Sequence, residues 1–261
     1  MMLGWANYLT LYSKESNLSS ENLQRVNLNE PDLEQLYTDL RSAFNEEWSR
    51  YIIQYRINGP YVLTDDDDEP LLASAPFDFD PAQESTTTFT QILDLFDSYT
   101  KATNLDGDEI ILKSPFNTLN AMQVLPILME NATTFEGLTI PGRINVMQAS
   151  RRVLTAVPGM TEDLLDSILR VREFELDDPD GFDRNRKYET WLYAEGFVDL
   201  QTMQILLPFL CCGGDVYQAE VVGYFDDGVG SSRAEVIIDT TIPIPRILFG
   251  ETKAICRQAI L

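Results

Sequence analysis

The motif Arg25-Val26-Asn27-Leu28 returns 118 positions later as Arg143-Ile144-Asn145-Val146, and the pattern of the residues after it repeats as well. Each copy runs into a helical pattern, a turn and a second helical run, closing on Tyr55-Arg56 in the first and Val171-Arg172 in the second. Such self-similarity constrains the fold more than composition does, because a two-helix unit cannot bury its apolar face alone and needs a neighbour. In the first copy Asn29 is the expected N-cap before Glu30-Pro31, and Leu33, Leu36, Tyr37 and Leu40 recur at three and four residues. A second run from about Glu46 to Arg56 puts Trp48, Ile52 and Tyr55 on one face and stops at Asn58-Gly59-Pro60. In the second copy Pro158-Gly159 breaks the first helix, Met160 tucks between the helices, and Thr161 caps a helix whose packed face is Leu164, Leu165, Ile168 and Leu169. This is a helix-hairpin-helix pattern, from which the first copy has drifted by losing Pro-Gly and gaining two residues.

The remaining segments carry weaker signals. Residues up to Glu21 read as an extended or loosely helical lead-in, and the acidic run from Asp65 to Glu69 as a solvated loop, since like charges repel along any regular element. Spacing through Phe89, Ile92, Leu93, Phe96 and Tyr99 predicts a helix over 86–100; further helices are expected over 117–131 and from Gln201 to Leu210, the last ending at Gly213-Gly214. Beyond it, Val216 to Phe225 and Arg233 to Asp239 are β-rich and joined by Asp226-Asp227-Gly228-Val229-Gly230, the signature of an antiparallel hairpin, with a short third strand from Arg246 to Phe249. The expected fold class is α+β: a lead-in over 1–24, a helical domain over 25–212 with repeats at 25–60 and 141–175, and a β-hairpin region over 213–261.

Composition removes whole classes of function. The chain of 261 residues has 42 acidic and 19 basic side chains, a net charge of −23, and no histidine. Nucleic-acid binding needs clustered Lys and Arg, and no such cluster is present. Without histidine there is no Ser-His-Asp or Cys-His couple and no His-ligated zinc. No apolar run reaches the roughly 18 to 20 residues of a membrane span, and Met1-Met2-Leu3-Gly4-Trp5 lacks the basic flank and apolar core of a signal peptide, so the chain as written is expected to be soluble. The three cysteines, Cys211, Cys212 and Cys256, form no C-x-x-C spacing and leave two readings open: buried thiols, or one long-range bridge to Cys256.

The carboxylates supply the candidate sites. The second glycine of a phosphate-binding hairpin is replaced by Thr161, and Glu162 and Asp163 come next, which repels phosphate and satisfies the helix dipole from within. Two loops are candidate Ca2+ sites because alternating carboxylates on a turn converge oxygen ligands: Asn104, Asp106 and Asp108, and Asp178, Asp180 and Asp183. No pair among the acids is singled out for glycoside hydrolysis, so a carboxylate-dependent hydrolase and a helix-hairpin-helix nucleic-acid module stand as alternative readings. Trp48, Tyr51, Tyr55 and Trp191 read as core.

The order of these features, with Val157-Pro158-Gly159-Met160, Trp191-Leu192, the run Glu195-Gly196-Phe197-Val198-Asp199-Leu200 and the closing strands, resembles the general secretion pathway protein K family. These are large minor pseudopilins of the bacterial type II secretion system. The resemblance spans nearly the whole chain and is most specific over 141–172 and 190–240. It implies a helical domain of two helix-hairpin-helix (SAM-like) repeats set into a pilin-like antiparallel sheet, and a non-enzymatic subunit capping the pseudopilus beside other minor pseudopilins and meeting secreted protein substrates. It also implies a periplasmic body, calcium binding, and a membrane-anchoring N-terminal helix upstream of Trp5, at the inner membrane and pseudopilus tip. Met147 departs from the family's usual second Asn. The edge of the terminal hairpin, with Arg233, Glu235, Ile237 and Asp239, is the expected partner surface.

Overall fold

The computed structural model describes residues 10–177, 184–224 and 230–256, and these form a mixed α+β structure. In chain order the elements are β1 (Lys14–Ser16), β2 (Val26–Asn27), α1 (Leu33–Ala43), α2 (Glu46–Asn58), β3 (Leu71–Leu72), β4 (Tyr99–Thr103), β5 (Glu109–Lys113), α3 (Ala121–Asn131) and β6 (Ala132–Thr133). After these come β7 (Thr139–Pro141), β8 (Ile144–Asn145), α4 (Arg151–Leu154), α5 (Glu162–Asp177), α6 (Trp191–Ala194), α7 (Leu200–Leu206), β9 (Leu210–Cys211), β10 (Val216–Tyr224), β11 (Gly230–Asp239) and β12 (Arg246–Cys256).

The sequence repeat is a structural repeat, and its spelling has a physical reason. The strand residues Val26-Asn27 pair in parallel with Ala132-Thr133, and Ile144-Asn145 pair in parallel with Leu210-Cys211. The next residue continues each ladder: Leu28 N–H donates to Thr133 O at 2.8 Å, and Val146 N–H to Cys211 O at 2.7 Å. The asparagine then turns the chain, since Asn27 Oδ1 accepts from Asn29 N–H at 3.0 Å and Asn145 Oδ1 from Met147 N–H at 2.9 Å. The closing arginines reach back to the same place in both copies. Arg56 donates to Leu28 O and, at 2.7 Å, to Thr87 O; Arg172 donates to Val146 O and, at 2.8 Å, to Ala149 O. One apolar core serves both units, joining Leu28, Leu36, Ile52 and Leu128 to Val146, Leu165, Trp191 and Leu206.

Several expected boundaries shift. Helix α1 starts at Leu33 because Asp32, not Asn29, is its N-cap, accepting from Gln35 N–H at 3.0 Å. Asn29 instead bonds the backbone of Phe89 through both its amide groups, at 2.8 and 2.9 Å. That clamp belongs to the segment 86–100, which is not a helix: Ile92–Leu95 makes one 3-10 turn and Tyr99 opens β4. The apolar residues there are buried as the spacing suggests, but Thr86 and Thr87 bond to Arg56 O and Asp94 Oδ2 takes the N–H groups of Thr90 and Gln91, leaving the backbone no helical register. Helix α7 stops at Leu206, short of Leu210: Leu207 still has helical backbone and bonds Met203 O, but Pro208 has no N–H to continue the ladder. Leu210-Cys211 is thereby released to pair as β9. The capping of the second hairpin is as expected, with Leu164 N–H donating to Thr161 Oγ1 at 3.3 Å.

The terminal strands form one antiparallel sheet in the order β10-β11-β12, and β12 is much longer than the short strand expected. Asp215 fastens it to the lead-in: its N–H donates to Lys14 O at 3.0 Å, its Oδ2 accepts from Ser16 N–H at 2.6 Å, and its carbonyl accepts from Thr240 N–H at 2.7 Å. The loop at 225–229 lies outside the described residues. Among those described, no helix is long and apolar enough to cross a membrane.

Candidate interaction surface

Strand alternation leaves one face of this sheet without charge and puts the charges on the other, which also carries exposed Val222, Tyr224 and Phe249. Register places Tyr217, Ala219 and Val221 of β10 beside Ile238, Val236 and Ala234 of β11, and these beside Ile247, Gly250 and Thr252 of β12. None of these nine residues is charged. The charges between Val216 and Thr252 in these strands fall on the opposite face: Glu220, Arg233, Glu235, Asp239, Arg246 and Glu251. An antiparallel sheet with one polar and one apolar face covers the apolar one, yet here Tyr217, Val221 and Ile247 are 55%, 59% and 72% exposed. The extra residue of β12 between the partners of Ile237 and Ile238 is a bulge, and Leu248 within it is exposed too.

The residues expected to form a partner-binding edge are placed otherwise. Arg233, Glu235, Ile237 and Asp239 lie on β11, the middle strand, whose backbone is paired on both sides; the open edges belong to β10 and β12. Ile237 and Asp239 are buried at the root of the sheet. Arg233 pairs with Glu220, and Glu235 accepts from Gln218. Asp239 Oδ1 accepts from Thr241 N–H at 3.0 Å and its hydroxyl at 2.6 Å, and Oδ2 meets Arg246 at 2.7 Å. The sequence showed a hairpin, and a third strand of eleven residues turned its exposed side into an interior.

The first acidic turn is built by hydrogen bonds of its own. It joins β4 to β5, and Asn104 Oδ1 accepts from the N–H groups of Asp106 and Asp108, each at 2.9 Å, around Gly107 at φ +94°. Asn104 Oδ1 is thus engaged by its own turn, and among the described residues no three acidic or cysteine side chains are grouped to hold a metal. Asp178, Asp180 and Asp183 lie outside the described residues. Glu162 and Asp166 share the single guanidinium of Arg151, so the start of α5 keeps a net negative charge.

Sequence reasoning passed over a buried ionic cluster at the head of the second repeat. Arg143 forks onto Glu15 of β1, at 2.9 and 2.6 Å, and reaches Glu189 at 2.5 Å and Leu207 O at 3.2 Å. Burial pushes the Glu189 carboxyl up, and Arg143 opposes it. The shared arginine of the two repeats was the available signal; its partners come from distant segments. Nearby Cys211 and Cys212 are free thiols, so the reading of a bridge to Cys256 falls; burial pushes both up, Cys211 to about 12.

No protein-family model, curated protein or solved structure matches this chain. Functional assignment therefore rests on the surface itself: an uncharged sheet face and two open edges, carried by an acidic body of helices and small sheets.

Proposed function

We propose that the protein is a non-enzymatic assembly subunit, a minor pseudopilin of the general secretion pathway protein K kind, whose helical repeats are helix-hairpin-helix units and whose terminal sheet is the pilin-like part. The observation that carries this reading is the exposed apolar face of β10-β12, a surface suited to be covered by another polypeptide segment. In the same reading the subunit sits at the pseudopilus tip on the periplasmic side, meets other minor pseudopilins and secreted proteins, and holds Ca2+ in the loop of Asp178, Asp180 and Asp183. The nucleic-acid alternative is disfavoured by the net charge and by the carboxylates at the second hairpin.

Co-purification with the partner minor pseudopilins tests the reading. Val221→Glu with Val236→Glu places charge in the centre of the apolar face and is expected to abolish the complex, while Glu220→Lys on the opposite face leaves it intact. A wild-type chain that recruits no minor pseudopilin, or a complex indifferent to the apolar-face substitutions, would overturn it.

A further inference from the structure

The two arginines that open the repeats occupy equivalent places, yet only one has carboxylate partners in the described structure. Arg143 holds Glu15 with both ends of its fork. Arg25 has no ion pair among the described residues; its guanidinium lies 5.9 Å from the centroid of the Tyr188 ring, and its Nε is buried without a hydrogen-bond partner. A buried donor left unsatisfied is costly, and a charged one more so. Arg25 borders a cavity of about 90 Å³ that Arg143 also touches; most of its exposed wall is apolar, with Ile92, Met129, Phe135, Ile140 and Leu207, and its polar part comes from threonines and from Gln91, whose Oε1 is also buried without a partner. Its volume is about three times the share of one water molecule in the liquid.

We propose that this cavity binds a small organic carboxylate with a short apolar body. The planar fork of Arg25 matches a carboxylate in the bidentate manner that Arg143 already displays with Glu15, and the aliphatic walls suit a branched chain of a few carbons. The chain's net charge of −23 repels anions at long range, so selectivity comes from direct contact with this guanidinium. The site is independent of the assembly surface, and its occupancy does not require that reading.

The test is an NMR titration of the full chain, isotopically labelled, with sodium isobutyrate, and in parallel with isobutyramide, its neutral isostere, at matched ionic strength. Isobutyrate is expected to give saturable shifts of the Arg25 Nε–H and of the Ile92 and Met129 methyl groups, and the amide none. Arg25→Gln is expected to weaken binding by about tenfold or more, with Arg25→Lys intermediate, since it keeps the charge and loses the fork. Should Arg25→Gln fail to fold, the contrast between acid and amide in the wild-type chain decides. Absence of saturable shifts with isobutyrate, equal binding of the amide, or unchanged affinity in a folded Arg25→Gln would mean that the cavity holds water only, and would overturn the proposal.

Discussion

Arg56 shows how one side chain ties a repeat together. It is 1% exposed, it ends the second helix of the first hairpin, and it donates to the carbonyls of Leu28 and Thr87, joining the opening strand, the closing helix and the loop after it. Burial lowers its pKa, though not to a range where a guanidinium gives up its proton. Replacing it with Met keeps much of the volume but strands two carbonyls, and Arg56→Met is expected to cost about 2–4 kcal/mol in urea unfolding. The half-buried equivalent Arg172→Met should cost less, because water can reach the groups it leaves. Equal losses at the two sites would show that the arginines do not act through these carbonyls. Both arginines could be read from the sequence as the matched ends of the copies. Their acceptors could not, since a backbone carbonyl carries no residue-type signal.

At the scale of elements the β-sheet is the informative case. Its root depends on Asp239, whose carboxyl is held down at about 2 by the hydroxyl and backbone N–H of Thr241 and by Arg246. An unfolded Asp titrates near about 3.9, so the unfolded chain binds more protons in between. The stability from this carboxylate is therefore fully present above about pH 4 and is lost as pH falls toward about 2. Glu130 titrates in the same window: burial works against its charge, but hydrogen bonds from Lys187, Ser20 and Tyr188 hold it at about 2. Urea midpoints measured across this window should fall with acid in the wild type, less steeply in Asp239→Asn, and least when Asp239→Asn is combined with Glu130→Gln. An unchanged slope in Asp239→Asn would remove the ionised Asp239 from the account. The same scale exposes the limit of periodicity: Phe89, Ile92, Leu93 and Phe96 are spaced for a helix and are buried, yet side-chain bonds from Asn29 and Asp94 bend their backbone into one 3-10 turn.

For the molecule as a whole, the lead-in, both repeats and the sheet are linked in series. Asp215, just before β10, bonds β1 and Thr240 after β11, and Arg143 bonds β1 to the second repeat through Glu15. Ligand binding to one loop of such a body is expected to raise the melting temperature of the whole by mass action. Addition of about 1 mM Ca2+ after EDTA should therefore raise the melt if the loop of Asp178, Asp180 and Asp183 binds calcium. Asp180→Asn should then remove the rise and Asp106→Asn leave it; the reverse pattern would move the ion to the turn of Asn104, Asp106 and Asp108. A rise that Mg2+ reproduces, or no rise at all, would return the loop to solvated surface.

Local chemistry determined the features that the sequence alone could tell: one motif opening two like segments, the helices α1, α2 and α5 that follow it, and β-strands at the end of the chain; the expected helix before Pro158-Gly159 is only the short turn Arg151–Leu154, which ends four residues before the proline. Each depends on neighbours within a few residues, where periodicity, caps and turn residues act. The tertiary structure decided which strand became the middle of the sheet, that Glu15 and Glu189 meet at Arg143, and that Arg25 lies beside a cavity without a carboxylate of the described chain. Those outcomes depend on segments far apart in sequence meeting in space. The pairing energy of a strand edge or a guanidinium depends on its partner, and residue type by itself does not say which distant segment arrives.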